Sequence, residues 1–217
     1  KVGMTTREVA GMARAKLKEL GGEPAFEGYR GFPDVMCIAV NEEVQHTIPG
    51  DRIINDGDTV NCDFGVLWKG LITDAATTFP VGKISAEAQN LLDGVELALE
   101  AALRTVKHGV KVREVSRAIE KVLKSHGLGI VRELCGHGVG DELHQDPDIP
   151  NFGADGGGFR LKAGMTIAIE PIGTAGSSAI KFMPDGWNIT TVDGGWAAQF
   201  EHSVVVTHKG CEVLTKI

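Results

Sequence analysis

The chain has 217 residues, 42% of them apolar and 24% charged, with a formal charge of −7 at pH 7. That length can bury a sizeable core as one domain or two intimate halves, and the acidic balance argues against nucleic acid as the main partner. No apolar run reaches the roughly eighteen residues of a membrane span, Lys1 opens no signal-peptide pattern, and Cys37, Cys62, Cys135 and Cys211 form no CxxC pair, so a cytoplasmic compartment is expected.

The opening segment KVGMTTREVAGMARAKLKELGG reads as an amphipathic helix, with apolar positions three and four apart and a glycine stop. Thr5 and Glu8 supply a capping box at its start. From Gly57, GDTVNCD reads as a strand with Val60, Cys62 and Phe64 on one face and Asn61 and Asp63 on the other. A turn at Lys69-Gly70 folds the chain back, so Asp63 and Asp74 face one another across a hairpin. Residues 86–106 read as a second helix, with Ser85 as its N-cap and Leu91, Leu92, Val95, Ala98, Leu99, Ala102 and Leu103 along one face.

The next segment repeats the first. KHGVKVREVSRAIEKVLKSHGL matches the opening at an offset of 106, pairing Gly3 with Gly109, Arg7-Glu8-Val9 with Arg113-Glu114-Val115, and Gly21 with Gly127. GMTIAIE from Gly164 matches GDTVNCD at an offset of 107 and aligns Asp63 with Glu170. A near-constant offset through a helix and then a strand indicates a duplicated fold, with halves at about 1–82 and 83–217 and a site at their junction. The helix at 86–106 has no counterpart before Lys1, so an N-terminally shortened version of the duplicated unit is expected.

Two further segments complete a set. His137 is bracketed by glycines in CGHGVG, a backbone able to approach a ligand closely, and Gln199, Glu201 and Ser203 share a strand face in AAQFEHSVVVT. Asp63, Asp74, His137, Glu170 and Glu201 thus stand in apolar, strand-like contexts, where carboxylates are costly unless neutralised. Two divalent cations would balance four negative charges, and oxygen ligands with one imidazole suit Mn, Fe or Co. The pattern points to a two-metal hydrolase.

DFGVLWKGLITDAATTFPVG, CGHGVGDELHQDP, GMTIAIEP and QFEHSVVVT resemble the signatures of the methionine aminopeptidases, over about Thr5 to Ile217. The resemblance implies an α+β pita-bread fold, one catalytic domain of two pseudo-symmetric halves with antiparallel sheet covered by helices. It implies two divalent ions (Mn, Fe, Co or Zn), with Asp63 on one, Asp74 and Glu201 bridging both, and His137 and Glu170 completing the other. It also makes Glu170 a proton shuttle, sets His46 to position the scissile amide, and gives His144 the substrate carbonyl. Tyr29, Phe32, Cys37, Leu143 and Trp187 would line a methionine pocket, with Leu143 where an aromatic residue is more usual.

Departures are small: Gln45 stands where many relatives have cysteine, Thr47 where glycine is usual, and Ala75 where threonine is frequent. The short span between Glu170 and Glu201 favours the type I enzymes. The expected activity is removal of initiator methionine from nascent chains or peptides by a monomer, with the ribosome as a candidate partner and no nucleic acid or membrane. Two alternatives stand beside it: a proline-specific pita-bread aminopeptidase, and a non-catalytic pita-bread binding protein.

Overall fold

Each helix-then-strand repeat folds as a helix laid on an antiparallel sheet, and the two sheets meet along their inner faces. The computed structural model describes residues 1–153 and 158–216. The first half runs α1 (Thr6–Leu20), β1 (Glu23–Pro24), a 3-10 turn (Tyr29–Gly31), β2 (Cys37–Val40), β3 (Glu43–Gln45), β4 (Thr59–Trp68) and β5 (Leu71–Pro80). The second opens with α2 (Ala86–Thr105) and α3 (Val112–Ser125), then β6 (Gly129–Ile130), β7 (Cys135–Gly138), β8 (Gln145–Pro150) and β9 (Thr166–Ile169). It ends with β10 (Ile172–Thr174), β11 (Ile180–Phe182), β12 (Ile189–Thr191), β13 (Ala197–Gln199), β14 (His202–Val206) and β15 (Cys211–Val213).

Four sheets result. β4 pairs with β1, β2 and β5, and the order β15-β14-β9-β7-β8 forms the sheet of the second half. A small sheet β13-β10-β6 extends the latter, while β11-β12-β3 stitches the two halves together. The β4–β5 hairpin closes on Lys69 and Gly70, both at positive φ (52° and 84°), which is the conformation a two-residue turn between twisted strands requires.

The repeat is visible in the backbone. Gly3 and Gly109 have φ of 86° and 85°, Gly21 and Gly127 76° and 69°, Gly57 and Gly164 93° and 91°. Gly3 N–H donates to the Ile54 carbonyl at 2.8 Å, and its counterpart Gly109 donates to Leu161 at 2.8 Å. The bridge Thr5–Ile53 recurs as Lys111–Arg160. The helix starts differ. α1 carries the full Thr5/Glu8 capping box, whereas α3 begins at Lys111 with no side-chain cap. α2 is capped by Ser85 Oγ, which accepts from Ala88 N–H at 3.0 Å.

The core follows the apolar faces. α1 buries Ala10 against Val35, Ile38, Val40 and Val60, while α2 and α3 bury Leu91, Val95, Ile119 and Leu123 against Ile167, Ile169 and Val204. Each such Leu or Ile contributes about 1.5–3 kcal/mol through removal from water. One expectation fails in detail: Glu170 and Glu201 are not mid-strand. β9 stops at Ile169 and resumes as β10 after Pro171, which has no N–H for a ladder; the adjoining strand breaks at Phe200-Glu201. Both glutamates therefore sit where the chain passes from one sheet to the next.

Candidate metal centre and the cavity above it

Asp63 and Asp74 come from the central hairpin. Asp63 pairs with Ala76 and Asp74 with Gly65, so the two carboxylates are diagonal neighbours on one face, within reach of a shared ligand. That face is turned inward: Asn61, Asp63, Asp74 and Thr78 are buried, while Cys62 and Phe64 face α1. His137 on β7 is opposite Ala168 of β9, and Ile169 is opposite His202, which brings Glu170 and Glu201 to adjoining strand ends.

Polar bonds lock the halves in this register. Asp74 N–H donates to Ser203 Oγ at 2.8 Å, and the Ser203 hydroxyl donates to the Asp74 carbonyl at 2.8 Å. Glu201 N–H donates to the Ala76 carbonyl at 2.8 Å. Thr78 Oγ1 donates to the Gln199 carbonyl at 2.7 Å, beside the Asn61 amide at 3.1 Å. The bonds at Asp74 and Glu201 use backbone atoms and leave both carboxylates free to point into the junction.

All five residues are at most 4% exposed. Ligand atoms of Asp74, His137 and Glu201 lie within 4.8 Å of one another, and His137 Nε2 is 3.5 Å from Glu170 Oε1. His137 Nδ1 is 2.9 Å from the Gly138 carbonyl, so the ring donates there and Nε2 keeps its lone pair. Asp63 Oδ1, Asp74 Oδ1 and Glu201 Oε1 are buried acceptors without a donor, which is costly unless a cation meets them. Burial drives the Asp63 pKa up to about 7. Burial and then mutual repulsion push Asp74, Glu170 and Glu201 well above the carboxylate range. Burial lowers His137, keeping the imidazole neutral as a ligand must be. The donor set fits divalent metal.

A cavity of ≈ 370 Å³ opens above these groups, lined also by Phe26, Tyr29, Phe32, Cys37, His46, Leu143, His144 and Trp187. Phe32 stacks edge-on against Phe26 (6.4 Å) and Trp187 (5.1 Å), forming an aromatic wall. His46, at φ 58° in the left-handed region, has its pKa lowered to about 4 by burial and then by His137. His144 sits at the mouth with its ring 4.3 Å from that of His137; Tyr29 Oη is 2.9 Å from its Nδ1. Burial against these rings, then repulsion from His137 and His46, lowers the His144 pKa.

Every residue expected to hold metal, act on the substrate or line the methionine pocket thus borders this one cavity. Sequence reasoning gave no site role to Phe26, Arg30, Glu133, Leu134 and Cys135 on the same wall, nor to Gln45, which stood out only as a departure, nor to Gln199 just behind it. Gln199 carried a signal, two residues from Glu201 on the same strand face; the others had none that separates them from ordinary core or surface.

The model of metallopeptidase family M24 matches residues 1–208. The methionine aminopeptidase 1 of Bacillus subtilis is 42% identical over 217 residues, which span all of this chain and 88% of that one. The chain belongs to the methionine aminopeptidases of family M24. It is a metallo-exopeptidase by that membership, and its buried acidic cluster binds divalent metal. The crystal structure of the Thermotoga maritima methionine aminopeptidase superposes with a TM-score of 0.97 at 40% identity, covering 100% of this chain and 87% of that one. A prolidase from Pyrococcus furiosus shares the fold at a TM-score of 0.80 and 27% identity, but this chain covers only 57% of it. Among the described residues of this M24 member, no helix is long and apolar enough to cross a membrane.

Proposed function

We propose that this chain removes the N-terminal methionine of peptides and nascent proteins as a cytoplasmic, monomeric enzyme with two divalent ions. The observation that carries the reading is the meeting of two unlike surfaces: an aromatic and sulfur-lined cavity whose floor is a cluster of unsatisfied carboxylate oxygens. The apolar wall suits a flexible thioether, and the floor suits ions that hold a free amine. Bound there, the metals would lower the pKa of water and polarise a carbonyl.

The chain's own residues do the rest. Asp63, Asp74, His137, Glu170 and Glu201 hold the ions. Glu170, at the edge of the cluster, accepts and returns a proton. His144 stays neutral; the Tyr29 hydroxyl on Nδ1 leaves Nε2–H to donate to the substrate carbonyl as its oxygen gains charge. His46, also neutral, positions the scissile amide. Tyr29, Phe32, Cys37, Leu143 and Trp187 enclose the methionine side chain and exclude water.

The test is hydrolysis of a Met-Ala-Ser peptide by chelator-stripped protein, with and without added Mn(II), Co(II) or Fe(II). Metal-dependent release of methionine, absent for Met-Lys and Met-Pro controls, is expected. Preferential cleavage before proline instead would move the chain to the prolidase-like reading. Failure to bind metal would leave it as a binding protein.

A further inference from the structure

We infer that Gln45 is a positioning residue for the metal centre, fixing Glu170 through Oε2 and leaving Oε1 as the oxygen offered to an ion. The inference rests on the metal-dependent reading above. Gln45 ends β3, is 5% exposed, and has its backbone held by the pairing with Ile189. Its Nε2 lies 3.0 Å from Glu170 Oε2. Gln199 Nε2 approaches the same oxygen at 3.2 Å and Glu201 Oε2 at 3.1 Å. Two N–H donors use the lone pairs of Glu170 Oε2. Oε1 is left, 3.5 Å from the His137 nitrogen that carries a lone pair.

Gln45 belongs to the first half and Glu170 to the second, so the bond ties the two halves together at the cluster. The orientation of the amide is dictated by chemistry. Among carboxylates a carbonyl oxygen would be repelled, so nitrogen faces the cluster and Gln45 Oε1, without a partner, faces away from it. An amide also brings no charge. It orients the carboxylates without neutralising them, where lysine or arginine would compete with the ion.

The experiment uses the full chain, stripped by chelator and titrated with Co(II) by calorimetry and visible absorption. Gln45→Met keeps length and removes the donor; it is expected to weaken Co(II) binding about 10- to 100-fold, as loss of an outer partner does. The Co(II) d–d bands should change shape as Glu170 turns, and kcat should fall with KM nearly unchanged. Gln45→Asn, which keeps an amide one methylene short, should fall between, and carries the test should Gln45→Met fail to fold. Wild-type Co(II) affinity and bands in either folded variant would overturn the inference. The reading of the activity fails separately, through absence of methionine release by the wild-type protein, while the Co(II) titration still reports on Gln45.

Discussion

The outer face of the first-half sheet is covered by α1, whereas two helices, α2 and α3, pack together over the sheet of the second half. Leu20, Trp68 and Phe79 are consequently 65%, 49% and 51% exposed, while Leu91, Val95, Ile119 and Leu123 are fully buried. On the inner faces the halves agree, each contributing a carboxylate at the same point of the repeat, Asp63 and Glu170, both nearly inaccessible. The inner faces of the two halves thus match in chemistry, while their outer faces, among the described residues, differ in packing. A substitution should report which face it touches more than which half.

The largest effect tests the equivalence of the two carboxylates. Glu170→Gln should keep the fold and lower kcat by about 10²–10⁴-fold even at saturating metal, because a proton carrier is lost with the ligand. Asp63→Asn should weaken metal binding comparably yet recover more of its rate as metal is raised. Steady-state rates against Mn(II) concentration separate them. Identical residual rates at saturation would make the halves equivalent in chemistry too.

The next pair breaks the comparison on the outer faces. Leu17 of α1 and Leu123 of α3 occupy the same repeat position, but Leu17 borders a surface cavity with Leu20 and Trp68. Leu123→Ala should cost about 3–5 kcal/mol and Leu17→Ala nearer 2, because less close-packed surrounding is lost at the second site. Urea denaturation with unchanged m-values would measure both. Equal losses would show that one helix packs as firmly as two.

The metal-free protein supplies a third contrast, now between the shared cluster and everything around it. Raised carboxylate pKa values mean that the folded state binds more protons than the unfolded one, so stability falls as pH rises through them, about 7 for Asp63. Buried His46, lowered to about 4, works oppositely: its contribution is complete above about 6.5 and is lost below. Between about pH 6.5 and 8.5 the carboxylates therefore set the slope, and the melting temperature of stripped protein should drop by a few degrees. Metal at about 100 times its Kd should reverse this and add about 2.7 kcal/mol. A stripped protein that melts higher at pH 8.5 would mean that burial and mutual repulsion do not hold these carboxylates protonated.

Local signals explain what could be read in advance. α2 was expected over 86–106 and spans Ala86–Thr105, because the apolar stripe and the Ser85 cap are written in neighbouring residues. Asp63 and Asp74 were placed together because Lys69-Gly70 announces a turn and strand alternation has period two. The sheet change at Glu170 and Glu201 was not legible: alternation continues through a break, and only Pro171 hints at it. Gln45 stands out in the sequence only as a departure, since a neutral amide acquires meaning only from the Glu170 carboxylate that the fold sets 3.0 Å away. Phe26 likewise looks like any core aromatic until its ring is seen against Phe32.

The smallest effect is the most discriminating for the outer face. Leu20 is already 65% exposed, so Leu20→Lys should leave stability within about 0.5 kcal/mol of wild type. Lysine is an equally good helix former, and position 20 lies in the last turn of α1, where the helix dipole favours a cation. Neither propensity nor charge therefore opposes the change, and only lost apolar contact can destabilise. A cost above about 1 kcal/mol would mean that Leu20 is covered in solution, and sedimentation at two protein concentrations would then reveal whether a second copy does the covering. A neutral result would show that Leu20 of α1 carries no apolar contact that stability depends on.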